Sequence, residues 1–177
     1  MFPRHFYDQY KDSAISIQMN DCKGSFMQNE SSENSGSDLS TTQIKDSNLF
    51  TCKILIREMH LDTFGHMNNA MYLQLFEQAR WDLITHNGYD LDKIHQAKQG
   101  PVILDVYIKF AKELKLREEI SITTELIEYK GKTGKLKQQM LKANGSLAAE
   151  AVFTFGLFDL QSRKLIDATP EWKKAIG

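Results

Sequence analysis

Within eight residues the chain sets an acid, an imidazole and two amides, Asp62-Thr63-Phe64-Gly65-His66-Met67-Asn68-Asn69. They run directly into the mostly apolar Ala70-Met71-Tyr72-Leu73-Gln74-Leu75-Phe76-Glu77-Gln78-Ala79-Arg80. A helix start exposes backbone N–H groups that no intrahelical carbonyl accepts, and it carries a partial positive charge. A carbonyl oxygen aimed there, that of a thioester for instance, is polarised while a nearby carboxylate attacks the carbon or activates water. Asp62 is the first candidate for that carboxylate. Asp is also a common turn residue, but a turn alone does not require Gly-His-x-Asn-Asn after it. His66 can hydrogen-bond a substrate or orient Asp62, against the plainer reading of a structural histidine in a polar loop. One of Asn68 and Asn69 is expected to cap the helix, which leaves the other for the ligand. Glu77, two turns into the helix, is the second-choice acid, with Arg80 at i+3 able to pair with it. Tyr72 is expected to pack at the core edge, with a hydroxyl contact to ligand as the lesser reading. Cys52 has no base beside it in sequence, which argues against a thiol nucleophile.

The elements that must position these residues follow from hydrophobic period. Phe50 to Glu58 alternates Cys52, Ile54 and Ile56 against Lys53 and Arg57, the pattern of a half-buried strand. Tyr72, Leu73, Phe76, Ala79, Leu83 and Ile84 then recur at three and four, closing at Asn87-Gly88 with a helix-ending signature. One helix of about five turns results, and Leu75 and Trp81 widen its apolar side enough to expect cover on most sides. After Pro101 the period becomes two: Val102, Leu104, Val106, Ile108 and Phe110 oppose Asp105 and Lys109, and Ile120, Ile122, Thr124 and Leu126 repeat the pattern beyond a charged turn. Leu136, Gln138 and Met140 precede Asn144-Gly145, a hairpin signal, and Ala149, Ala151, Phe153, Phe155 and Leu157 return. Thr169-Pro170 reads as cap and first position of a short last helix. The predicted order is one strand, one long helix, then four antiparallel strands, so five strands that bury the helix best by curling around it.

Composition narrows the class. At 177 residues, with 41% hydrophobic and 25% charged residues, one core is expected. Residues 1–48 hold four Lys/Arg against seven Asp/Glu, net −3, leaving 18 against 16, net +2, for the rest. Neither part has the bias of a nucleic-acid binder. From Gln28 to Asn48 the residues are mostly Ser, Thr, Asn, Glu and Asp, too polar to offset the entropy of ordering them, so 1–48 reads as a flexible polar tail before a domain at 49–177. Phe2, Phe6, Tyr7 and Tyr10 at its start could dock on the domain or a partner, although an appended tail is the plainer reading. Cys22 and Cys52 are far apart and lack metal spacing, which fits a reducing, cytoplasmic setting. No apolar stretch reaches membrane-spanning length.

Asp62-x-x-Gly65-His66-x-Asn68-Asn69-x-x-Tyr72, with Phe76-Glu77-x-Ala79-Arg80 further on, resembles the signature of 4-hydroxybenzoyl-CoA-thioesterase-like acyl-CoA thioesterases. It covers roughly residues 50–168. Plant acyl-ACP thioesterases are similar over Asp62, His66, Asn68 and Asn69. The resemblance implies an α+β hot-dog fold, a curved five-stranded antiparallel sheet wrapped around one long central helix. It puts the catalytic carboxylate at Asp62, as nucleophile or as base for water, and the oxyanion donor at a backbone N–H within Asn68 to Ala70, with Gly65 allowing close approach. A separate hot-dog branch uses a helix glutamate, which here corresponds to Glu77. Active sites in the family form across a homodimer, so homodimers or homotetramers are implied. The chain departs from its relatives where Glu113-Leu114 replaces a common proline and Glu118-Glu119 a common Gly-Asp turn.

Lys130, Lys132, Lys135 and Lys137 cluster around a Gly131/Gly134 turn that could attract coenzyme A phosphates or an acidic carrier protein, solvated turn lysines being the commoner case. The expected reaction is hydrolysis of an acyl-CoA or acyl-carrier-protein thioester, with no metal and no cofactor beyond the coenzyme A of the substrate. A hot-dog hydratase or dehydratase, disfavoured by the lack of a His-Phe-Pro stretch, and a non-catalytic acyl-CoA binder are the alternatives.

Overall fold

The computed structural model describes residues 49–177; the expected tail at 1–48, with its aromatic residues and Cys22, lies outside the described residues. Strand β1 (Phe50–Leu55) leads through a single 3-10 turn (Glu58–His60) and a tight loop to helix α1 (Asn69–His86). A short helix α2 (Leu91–Ala97) precedes β2 (Gln99–Phe110). Strands β3 (Glu119–Lys130), β4 (Thr133–Lys142) and β5 (Leu147–Asp159) follow, then β6 (Lys164–Ile166) and helix α3 (Pro170–Ile176).

All strand pairs are antiparallel, in the order β1-β3-β4-β5-β2. The sheet has six strands, not the expected five. β4 reaches only Gly156 of β5, and β6 takes up the freed edge, pairing Leu157 with Ile166 and Asp159 with Lys164. Three residues bounded by charged turns are too short to show a period, so β6 escapes sequence reading. The same holds for α2, seven residues with Ile94 alone buried and Asp90 as its cap.

Helix α1 obeys its sequence signals. Asn68 caps it, accepting from the Ala70 amide at 2.9 Å, and the Leu83 carbonyl closes it on the Asn87 amide before Gly88 at φ +83°. Tyr72, Leu75, Phe76, Ala79, Leu83 and Ile84 are buried. The expectation of cover on most sides is corrected: Leu73, Gln74, Glu77 and Gln78 are exposed, because one sheet can bury only one face of a helix. The core between α1 and the sheet contains Phe50, Ile122, Met140 and Phe153, with the Phe76 and Phe153 rings edge to face at 6.0 Å. Each such side chain removed from water is worth about 1.5–3 kcal/mol. A second cluster joins Tyr89, Phe155 and Trp172 beneath α3, whose cap is Thr169 and whose first residue is Pro170, as the sequence predicts.

One strand alternation fails. In β2 the register shifts between Ile103, opposite Phe155, and Asp105, opposite Thr154, so Leu104 is the extra residue of a β-bulge. Past the bulge Val106, Ile108 and Phe110 share the inner face with Ile103, opposite the buried Phe153, Ala151 and Ala149, while Val102 points the other way. Periodicity alone cannot register an inserted residue.

Candidate functional site

The loop before α1 is a closed ring of backbone bonds. The Asp62 amide donates to the His66 carbonyl at 2.8 Å, the Gly65 amide donates to the Asp62 carbonyl at 3.1 Å, and Leu61 bridges Met67. Gly65 turns the chain at φ +76°, a left-handed conformation that suits glycine. Nothing within this chain lies within 4 Å of where its Cβ would be.

Inside that ring Asp62 Oδ1 accepts from the Phe64 amide at 2.8 Å and from the His66 amide at 3.3 Å. Its Oδ2 has no hydrogen-bond partner among the described residues, and Asp62 lines a cleft of about 350 Å³. His66 and Met67 of the loop and Asn69 and Tyr72 of α1 line the same cleft. Its opposite wall is Phe110 at the end of β2, followed by Lys112 and Glu113.

The first amides of α1 are not equivalent. The Asn68 amide donates to the His60 carbonyl at 2.9 Å, and the Ala70 amide donates to the Asn68 side chain. The Asn69 amide has no acceptor among the described residues, so of the three N–H groups at this helix start it is the one left for a ligand. Asn68 is therefore the cap, and Asn69 is the asparagine that faces the cleft.

Tyr72 is buried and stacks edge to face on Phe110 at 4.9 Å, flooring the cleft. Burial pushes its phenol above the ordinary value, opposed by the Leu114 backbone and assisted by the charges of Glu118, Glu113 and Asp62. Glu113 places one carboxyl oxygen 3.0 Å from His66 Nε2 and the other 2.8 Å from Lys115 Nζ. The hydrogen bond from Lys115, more than any other influence, holds the Glu113 carboxyl below the usual range.

The description of the matching family, the thioesterase-like superfamily, fits residues 56–176 of this chain. The chain belongs to that superfamily. The long-chain acyl-CoA thioesterase FadM of Escherichia coli is 31% identical over 126 residues, which is 70% of this chain and 94% of FadM. Among solved structures, YbaW of Escherichia coli superposes with a TM-score of 0.64 at 28% identity, covering 71% of this chain and 94% of its own. The Staphylococcus aureus protein SAV2348, solved in complex with CoA, superposes with a TM-score of 0.70 at 19% identity, covering 73% of this chain and 82% of its own. The fold is the hot-dog fold of thioesterases.

Within this member of the superfamily, Asp62, Gly65, His66, Asn68, Asn69 and Tyr72 come together around one cleft or in the loop that forms it. Glu77 does not: it lies on the exposed face of α1, outside the cleft lining. Nor does Arg80 join it in the expected ion pair. Burial draws Arg80 inward, where it donates to Gln138 Oε1 at 2.8 Å and lies 4.1 Å above the Phe153 ring. Lys130 ends β3, eleven residues and roughly 35 Å along the strand from Glu119, which pairs with Leu55 at the loop end, and Lys132 lies in the turn beyond it. Acids on β3 also answer this basic hairpin, Glu128 pairing with Lys130 and Lys135, and Glu125 with Lys137.

Met67, Phe110, Ala111, Lys112 and Glu113 are the cleft residues that sequence reasoning did not assign. A signal existed, since the Lys112 to Glu119 segment is where the chain departs from its relatives' pattern. Nothing in its spacing says that it folds against the 62–66 loop.

Proposed function

We propose that this protein hydrolyses acyl-CoA thioesters to a carboxylate and free coenzyme A, with Asp62 as nucleophile or general base and the Asn69 amide as oxyanion donor. One observation carries this reading: a carboxylate oxygen and a helix-start N–H, each without a protein partner among the described residues, belong to residues lining the same cleft. The two amides on Oδ1 hold the carboxylate in place, so Oδ2 meets the substrate without first giving up a bond. The helix start favours negative charge developing on the carbonyl oxygen.

For the coenzyme A phosphates, the cation within the cleft wall is Lys112, in preference to Lys130 and Lys132 of the distant hairpin. A homodimer or homotetramer fits the exposed apolar residues on the inner face of the edge strand, Ile103, Val106 and Phe110, which a second copy would cover. No helix among the described residues is long and apolar enough to cross a membrane, and we place the reaction in the cytoplasm. Release of free thiol from a panel of acyl-CoA and acyl-carrier-protein substrates of varied chain length tests the activity. Tight acyl-CoA binding with no thiol release from any of them would leave a binding protein instead.

A further inference from the structure

A second carboxylate enters the cleft from the connection after β2. Glu113 contacts His66 Nε2 at 3.0 Å with one oxygen and Lys115 Nζ at 2.8 Å with the other. The backbone fixes both partners: His66 and Lys115 form an antiparallel bridge, and the Met67 amide donates to the Leu114 carbonyl at 2.8 Å. The segment bearing Glu113 is thus fastened to the loop bearing Asp62, and both Glu113 and His66 line the cleft.

We propose that Glu113 is a positioning residue for His66, engaging the Nε2 proton and leaving Nδ1 as the basic nitrogen of the ring. In a neutral imidazole one nitrogen donates and the other accepts, and the partner of the donor decides which is which. A base oriented by a carboxylate is the arrangement that activates nucleophiles on many folds. The role rests on the hydrolytic reading above and gives His66 a share in it. Asp62 Oδ2 bonds to the acyl carbon, the C–S bond breaks, and coenzyme A leaves as its thiolate. Water then bonds to the acyl carbon of the resulting anhydride while His66 Nδ1 takes one of its protons and the Asp62 carboxylate departs. The proton passes from the imidazolium to the thiolate, leaving a free acid and a thiol.

The groups around the imidazole are Asp62 on its own loop, Tyr72 on α1, and Lys112, Glu113 and Lys115 on the facing connection, with Glu118 acting on Lys115 and Lys142 on Glu113. The Lys115 hydrogen bond, aided by the charges of His66, Lys115 and Lys142, favours the ionised form of Glu113.

The test uses the full chain with Glu113→Gln. With the best acyl-CoA, kcat is expected to fall about tenfold, a part of the 10²–10⁴ typical of a whole general base, while KM changes by no more than about twofold. In a His66→Asn background the substitution should have no further effect. Nitrogen NMR of the ligand-free protein should show the Nε2–H tautomer of His66, becoming mixed in the variant. An equal loss without His66 or an Nδ1–H tautomer would each overturn the role. Absence of thiol release by the wild type would instead overturn the hydrolytic reading, while the tautomer measurement still decides the pairing.

Discussion

Gln138 of β4 donates to the Phe76 carbonyl in the middle of α1 at 3.1 Å, tying the central helix to the sheet through a fully buried amide. The same nitrogen donates to Thr124 Oγ1 at 2.9 Å, and Oε1 accepts from Arg80. Three polar groups, the Phe76 carbonyl, the Thr124 hydroxyl and the Arg80 guanidinium, are thus satisfied by one buried side chain. Burial pushes the Arg80 guanidinium down to about 10, opposed by the Glu77 charge. Its cation tolerates the site because Gln138 and the Phe153 ring receive it.

Gln138→Leu keeps the volume but strands Arg80 and Thr124. A loss of about 3 kcal/mol is expected, the typical cost of leaving buried polar and charged groups unpaired. Urea unfolding of the variant beside the wild type measures it, and a loss below about 1 kcal/mol would show that the network contributes little.

Asp62→Asn separates chemistry from architecture. The amide oxygen can still accept from Phe64 and His66, so the loop and the thermal midpoint should be retained, while Oδ2 is replaced by a group that neither attacks nor takes a proton. Turnover should fall by at least roughly 10². Thiol release in single-turnover conditions reads the effect, and wild-type activity in this variant would remove Asp62 from the mechanism.

Glu77→Gln is the matched control for the rival acid. Exposed on α1 and outside the cleft lining, it should leave kcat/KM within about threefold of wild type. A loss as deep as that of Asp62→Asn would make the helix acid the catalytic one.

Gly156→Ala should destabilise the domain without touching the cleft. Its Cβ would meet the Lys132 carbonyl and Leu165 Cδ2, each at 2.8 Å, and the backbone carbonyl of the tight β3–β4 turn can move only with its hairpin. A cost of about 1–3 kcal/mol is expected, as for other overpacked sites, with KM unchanged in the surviving folded protein.

Stability should also weaken in mild acid. His60 is buried in the turn before the Asp62 loop, its Nδ1 accepting from the Arg57 amide at 3.1 Å and its carbonyl accepting from the Asn68 amide. Burial first, and the Arg57 charge second, lower its pKa from the ordinary 6.5. The unfolded chain therefore binds more protons below pH 6.5, so the contribution is complete above that value and is lost as pH falls through the lowered folded value. Denaturation midpoints measured across that window should drop with acid, and less steeply in His60→Gln.

Local chemistry alone determined much of this protein. Asn68 before an apolar repeat at three and four makes a capped helix, Asn144-Gly145 turns β4 into β5, with Gly145 at φ +77°, and Thr169-Pro170 starts α3. These follow from steric and hydrogen-bonding rules that act within a few residues. The compound motif from Asp62 to Arg80 carried the family for the same reason, being one contiguous loop and helix start. Tertiary structure decided which charges share the cleft. Glu113 reaches His66, and Lys112 the cleft wall, because a bridge between His66 and Lys115 brings two remote segments together, whereas β3 carries Lys130 to the other end of the sheet. The bulge at Leu104, the inward turn of Arg80 and the availability of the Asn69 amide likewise depend on partners distant in sequence. Pair contacts of that kind are set by how the sheet closes on the helix, and no local period encodes them.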